Sequence, residues 1–341
     1  MLTSTKYFAT RSVWPLAVAL AFGACDKPAA WGEANSLIVV ASDSLWEQVE
    51  QATYEILEPT IFTTREENTY NVTQVDPTHS SFPDMRVFRQ VVVFGTAASP
   101  LIIEAAQTAG RVGTLEVPSV FQAKNVWSRG QTVTAVLLSE DRQVETLVSQ
   151  LPAVLGMVES EYRQWVRRKM FVTAPDTALA TVLARDHGFS VLVPVVYDYI
   201  AREGPGEPVV ILRNDNPDPS VLIRSLLVAS RPRIEELTPE VALEWRAAVD
   251  SVHYNVPQRV NTERSSVTRF LADGREALEV TGVWEDEEGN FPAAGPFILW
   301  LVQCPSRTYM LDAYLYAPGQ DKYEYMLQIQ EILGSFRCTE S

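Results

Sequence analysis

The chain sets apolar runs of strand length against amphipathic stretches of helical spacing, and the order of the two changes near its middle. SLIVVAS (36–42) is a compact apolar run. Leu45, Trp46, Val49, Tyr54, Ile56 and Leu57 follow at helical spacing, with Ser42 or Ser44 placed to cap that helix and Pro59 closing it. MRVFRQVVVFG (85–95) and QTVTAVLLS (131–139) read as two further buried strands, with a short helix over PLIIEAAQTAG (100–110) between them. From Glu140 to Phe171, Val144, Leu147, Leu151, Val154, Leu155, Val158, Tyr162, Trp165 and Val166 form one apolar stripe. Pro152 lies inside this stripe and predicts a kink or a division there, because proline supplies no N–H to the helix ladder. Alternating strands and helices predict an α/β layer for this half.

Past a boundary near Ala174-Pro175 the rhythm is different. A helix over Asp176 to His187 leads into FSVLVPVVYDYIAR, EPVVILRND and SVLIRSLLVAS, read as strands. TPEVALEWRAAVDSVH (238–253) is a helix capped by Thr238 with Pro239 at its first position. Four strands follow, SVTRFLA, EALEVTGVW, PFILWLVQC and TYMLDAYLYAP, turned at Asp273-Gly274, Glu288-Gly289-Asn290 and Pro305-Ser306, before a last helix over Asp321 to Leu333. The expected class is α+β with two α/β domains: 37–172, and an antiparallel sheet with helices over 173–338.

The N-terminus predicts export. Lys6 and Arg11 precede thirteen uncharged residues, SVWPLAVALAFGA. That stretch is shorter than the roughly 20 residues of a membrane-spanning helix, so 1–24 reads as a signal peptide. Ala21-Phe22-Gly23-Ala24-Cys25 resembles the bacterial lipobox, with Phe22 where an aliphatic residue is usual. Small residues at 23 and 24 admit a signal peptidase, and the Cys25 thiol is the group that takes a diacylglyceryl thioether. An ordinary signal peptide with an incidental cysteine is the alternative. Acylated Cys25 would hold the protein to a lipid bilayer, on the outer membrane or the periplasmic face of the envelope, with 25–36 as a polar tether.

A formal net charge of −15 disfavours nucleic acid as a partner. Besides Cys25 only Cys304 and Cys338 remain, which are either one bridge of an exported protein or two buried thiols. His79, His187 and His253 stand apart, outside any HExxH or nucleophile-elbow pattern. Asn214-x-Asn216-x-Asp218 has calcium-loop spacing, but Pro219 replaces the needed glycine and Ser225 the bidentate glutamate, so a turn is expected. Glu285-Asp286-Glu287-Glu288 reads as a solvated hairpin tip. No catalytic residue, metal ligand or cofactor is assigned. The candidate binding face combines Asp312, Tyr314 and Tyr316, which alternate along one strand, with Glu279, Trp284 and Glu285 on its neighbour hairpin. Aromatic rings beside carboxylates suit a sugar, a peptide or an apolar ligand, unless a helix or the other domain covers that face.

GVWEDEEGNFPAAGPFILW and YLYAPGQDKYEYMLQIQEIL resemble the C-terminal signature of domain-of-unknown-function family 4837, envelope lipoproteins of Bacteroidetes-type bacteria. The matching positions include Gly282, Trp284, Glu285, Gly295, Pro296, Phe297, Tyr316, Ala317, Pro318 and Lys322. Residues 189–337 are similar in layout to the PsbP and Mog1-like α/β/α sandwich. The resemblance implies location and anchorage and supplies no activity. Two functions therefore stand at this point: a non-catalytic envelope protein binding a small ligand or another envelope protein, and an envelope hydrolase using carboxylates such as Glu285 and Asp312.

Overall fold

A computed structural model describes residues 27–111, 113, 115–203, 207–254, 258–286 and 293–339. The first half contains strands β1 (Ser36–Val40), β2 (Thr60–Phe62), β3 (Glu66–Asn68), β4 (Asn71–Val75), β5 (Gln90–Gly95), β6 (Ser119–Lys124) and β7 (Thr132–Leu137). Its helices are α1 (Asp43–Leu57), α2 (Phe82–Met85), α3 (Pro100–Thr108) and α4 (Gln143–Met170). A five-stranded sheet runs β4-β1-β5-β7-β6. β4, β1, β5 and β7 are parallel, and only β6 runs against its neighbour. Helices cover both faces, so the central strands are apolar on both sides: Leu37, Val39 and Val92 meet α1 and α4, while Ile38, Val91 and Val93 meet α3.

Ser42 caps α1 through its hydroxyl, which accepts from the Leu45 N–H at 3.4 Å. α4 is one continuous helix of 28 residues through Pro152, where the sequence predicts a break. Pro152 and Val148 both lie on the solvent side, so the carbonyl left without an N–H faces water. Phe82–Met85 begin as a short helix, leaving β5 only from Gln90 of the strand expected over 85–95. Residues 27–35 rest on this half: Ala29 bridges Arg129, Trp31 bridges Phe88, and the Trp31 and Phe88 rings lie 4.5 Å apart.

The second half begins with α5 (Thr177–His187), capped by Asp176 and ended by Gly188 in the left-handed conformation. Strands β8 (Phe189–Ser190), β9 (Asp198–Arg202), β10 (Val209–Asn214) and β11 (Ile223–Pro232) follow. The run expected as one strand over 189–202 is divided by a turn at Pro194–Tyr197. α6 (Pro239–His253) then precedes β12 (Arg259–Val260), β13 (Ser266–Ala272), β14 (Arg275–Asp286), β15 (Ala293–Gln303), β16 (Arg307–Tyr316), α7 (Tyr323–Gly334) and β17 (Arg337–Cys338). An eight-stranded antiparallel sheet runs β12-β14-β15-β16-β11-β10-β9, with β13 also paired to β14. α5 and α7 pack on one face and α6 on the other, giving the α/β/α layering expected of this half and the α+β class overall.

The two halves meet through α4 and α7. Leu327 and Tyr323 of α7 pack into the α1–α4 core, and Arg163 donates to Gln330 at 2.8 Å. Beside them the buried Glu67 carboxylate accepts from the Lys322 backbone N–H at 2.6 Å and from Thr63 at 2.7 Å, with the Lys322 ammonium 3.7 Å away. Cys304 and Cys338 form a disulfide with Cα atoms 5.7 Å apart, tying β17 to the end of β15. No helix among the described residues is long and apolar enough to cross a membrane.

Candidate functional site

α6 carries two charges in its buried stripe. Ala242, Trp245, Val249 and His253 face the sheet, and so do Arg246 and Asp250, one helical turn apart. Beneath them Asp312 occupies an inward position of β16 between Met310 and Tyr314 and is fully buried. Arg246 Nε donates to Asp312 Oδ1 at 3.0 Å, and its Nη1 lies 2.9 Å from Asp250 Oδ2. Its remaining arm reaches Gln258 Oε1, and the guanidinium stacks 4.7 Å from the Phe297 ring centre. Tyr254, the residue that ends α6, donates its hydroxyl to Asp312 Oδ2 at 3.1 Å.

One cation and two carboxyls in a dry interior cannot all be charged cheaply. Burial, reinforced by the charge of Asp312 and opposed by Arg246, pushes Asp250 up from 3.8 to about 8. The cluster is thus an Arg246–Asp312 ion pair beside an Asp250 whose burial favours its neutral form. Burial and Asp312 also hold the Tyr254 phenol well above its usual range, so it remains a donor.

Past the end of α6 a cleft of about 190 Å³ lies on this sheet face among the described residues. Ile200 of β9, Ile211 of β10 and Ile223 of β11 form its apolar wall. Tyr254 and Tyr314 meet edge to face across it, ring centres 5.1 Å apart. Ser225, Gln258 and Arg213 supply polar groups; Asp215 holds the Nε edge of Arg213 at 3.2 Å. Arg202 also lines the cleft and donates to the His253 carbonyl at 3.0 Å. No carboxylate lines this cleft among the described residues.

Two other depressions have less architecture. One of about 400 Å³ lies between α5 and the β9–β10 edge, beside His187 and Arg307. The other, about 500 Å³, opens at the carboxyl edge of the parallel sheet between the starts of α1 and α4. That is where ligands commonly bind in parallel sheets, but the start of α1 is taken: the Asp43 N–H donates to Asp76 at 3.0 Å. Hydrogen bonds from Thr78 hold Asp76 below the usual carboxylate range.

Of the six residues expected to share a binding face, the structure brings only Tyr314 to the cleft wall, with Asp312 beneath it. Asp312 does not face solvent; it is the buried anchor under Tyr254. Trp284 and Tyr316 are on the same side of the sheet but farther along, their ring centres 6.4 Å apart. Glu279 and Glu285 point to the opposite side, because β14 alternates without a bulge and Trp284 takes the α6 side. Glu279 accepts from Trp300 Nε1 at 2.7 Å, and Glu285 accepts from Asn261 at 3.3 Å. A site combining Glu285 with Asp312 is thereby corrected: the sheet separates them.

The histidines remain apart. His79 meets Ser81 at 2.8 Å, His187 meets Tyr199 at 2.9 Å, and His253 meets the Glu207 carbonyl at 3.2 Å. Asn214 and Asp218 accept backbone N–H groups two residues ahead, which makes the calcium-like spacing a pair of turns. No group of three or more metal-ligating side chains is present among the described residues. Cys25 and the hairpin tip at 287–290 lie outside them. Arg246 and Asp250, unnoticed in the sequence, are legible there in retrospect as two charges on an otherwise apolar stripe.

The signature residues of the second half have packing roles. Trp284 Nε1 donates to the Leu315 carbonyl at 3.2 Å, and a Cβ on Gly295 would sit 1.8 Å from that oxygen. Lys322 belongs to the buried pair with Glu67. Residues 177–335 match the DUF4837 family model, a domain of unknown function. The matched region covers α5 to α7 and holds both the ion cluster and the cleft. No curated protein matches the sequence. Among solved structures, the chain is similar to cyanobacterial PsbP of Synechocystis sp. PCC 6803, at 13% identity over 44% of this chain and 86% of that one, with a TM-score of 0.31. It is similar to a point mutant of Mog1 at 11% identity, over 45% and 92%, with a TM-score of 0.30. It is also similar to LpqN of Mycobacterium tuberculosis, described as involved in cell envelope biogenesis, at 12% identity over 44% and 84%, with a TM-score of 0.24.

Proposed function

We propose that this is a lipid-anchored envelope protein without catalytic activity, whose DUF4837 region binds a small amphipathic molecule with an acidic head. The observation that carries the binding reading is the composition of the cleft: three isoleucines and a tyrosine pair beside two arginines, with no carboxylate lining it among the described residues, in a chain of net charge −15. The apolar body lies on Ile200, Ile211 and Ile223. The head is taken by the outer edge of Arg213, with Ser225 and Gln258 as further partners. The Arg246–Asp312 pair serves as the foundation, since it fixes Tyr254, one of the cleft walls.

Support for export comes from the uncharged stretch before Cys25 and from the Cys304–Cys338 bridge, which suits an oxidising compartment. Labelled palmitate fed to expressing cells should appear on the protein and vanish in Cys25→Ala; equal labelling of the variant contradicts the anchor. Extraction of the protein purified from membranes, followed by mass spectrometry, should release an acidic amphiphile at near-stoichiometric yield. A Tyr314→Ala variant that retains the same molecule in the same amount would contradict the cleft assignment.

A further inference from the structure

The eight-stranded sheet ends in an uncovered strand. All five residues of β9 are exposed, including Tyr199 at 38% and Ile200 at 36%, and Val195 and Val196 just before it are 49% and 44% exposed. One side of β9 pairs with β10; its outer side has no strand beside it among the described residues. Such an edge offers a row of backbone donors and acceptors to any extended segment of matching register.

The sequence of this edge matches itself. β9 reads Asp198-Tyr199-Ile200-Ala201-Arg202, with opposite charges at equal distances from its middle residue. We propose that β9 is the seam of a homodimer, in which two copies pair antiparallel about Ile200 and join their sheets into one. A two-fold axis through Ile200 sets Asp198 of each copy across from Arg202 of the other, Ile200 across from its own copy, and Tyr199 across from Ala201. Oppositely charged and apolar pairs directly across from one another favour an antiparallel ladder.

The opposite edge of the sheet does not have this property. β13 has Arg269 as its middle residue, so the equivalent two-fold pairing sets two guanidinium groups together. Pairing through β9 is isologous, so it closes at two copies and leaves no β9 edge for a third. Asp198, Ile200 and Arg202 all point to the α6 side of the sheet, as their partners Arg213, Ile211 and Val209 show. The axis keeps that side common to both copies, so the two clefts open next to each other along the seam. The proposal stands on the strand edge alone and holds whether or not the clefts take the ligand proposed above.

Sedimentation velocity of the full chain in a nonionic detergent, across the micromolar range and at about 0.15 M salt to screen the like net charges, should show a monomer–dimer equilibrium. Asp198→Arg places arginines opposite one another at both ends of the seam without altering a cleft residue, and should weaken association about tenfold or more. Combining it with Arg202→Asp restores opposite charges in reversed order and should recover the dimer, which also shows that the variants fold. A wild-type chain that stays monomeric throughout, an Asp198→Arg variant that dimerises unchanged, or a double variant that remains dissociated would each overturn the proposal.

Discussion

The two faces of the eight-stranded sheet are built on different principles. Toward α5 and α7 the centre of the sheet presents apolar side chains: Leu226, Val228, Ile298, Trp300, Leu311 and Leu315 pack against Ile329, Ile332 and Phe336, and the disulfide ties the rim. Toward α6 the same strands interrupt an apolar lining with Asp312, answered by Arg246 and Asp250 from the helix. The first face gains its stability from area removed from water. The second accepts the desolvation of three ionisable groups and in return holds one tyrosine at a fixed place beside an open cleft. Burial alone would not require this, since well-packed apolar side chains can replace a buried ion pair without loss. The ionic face is thus the one whose chemistry calls for a role beyond packing.

The sharpest test of that contrast removes one side chain from each face of β16. Asp312→Ala leaves Arg246 with Asp250 as its one remaining carboxyl partner and strips Tyr254 of its acceptor, and chemical denaturation should register a loss of about 3–5 kcal/mol. Leu311→Ala, its neighbour on the apolar face, should cost about 2–4 kcal/mol from the cavity it leaves, without disturbing the cleft. If both variants keep an equally ordered Tyr254 ring by NMR, the distinction between the faces fails. Replacing Cys304 and Cys338 by serine removes a cross-link between residues 34 apart in sequence. It should lower stability by about 2–4 kcal/mol, again with no effect on the cleft.

A further effect is one of pH. Folded Asp250 holds its proton up to about 8, whereas the unfolded chain releases it near 3.8. Between those values the folded state binds the extra proton, so this group's stabilisation is complete below the lower value and is lost as pH rises through the upper one. Stability measured from pH 5 to pH 9 should decline through this term, and Asp250→Asn should flatten the decline. An unchanged profile in that variant would show that Asp250 is ionised at neutral pH.

Periodicity made the apolar face legible in the sequence and left the ionic face largely hidden. The Thr238 cap, the Pro239 start of α6 and the strands β10, β11 and β13 to β16 all follow from local pattern, because each is a period-2 or period-3.6 run closed by turn residues. Alternation likewise places Asp312 and Tyr314 together on one side of β16. What local pattern does not carry is register: whether Glu279 and Glu285 share that side depends on how β14 aligns with β15 and β16, which is fixed by pairing across the sheet. Nor does a charge on an amphipathic stripe announce its partner, and Arg246 meets Asp312 across 66 residues of sequence. β4, β6 and the division of 189–202 were missed for a related reason: these short segments owe their conformation to neighbouring strands and turns more than to their own composition.

The account rests on the cleft beside Tyr254 and Tyr314 accepting an acidic amphiphile through Arg213. Calorimetric titration with octanoate, with octanol as the uncharged control, tests this directly in the wild-type protein and in Arg213→Gln. Saturable binding of octanoate, stronger than that of octanol and weakened about tenfold in the variant, is the predicted result. Absence of saturable octanoate binding, or equal affinity in wild type and variant, would contradict it.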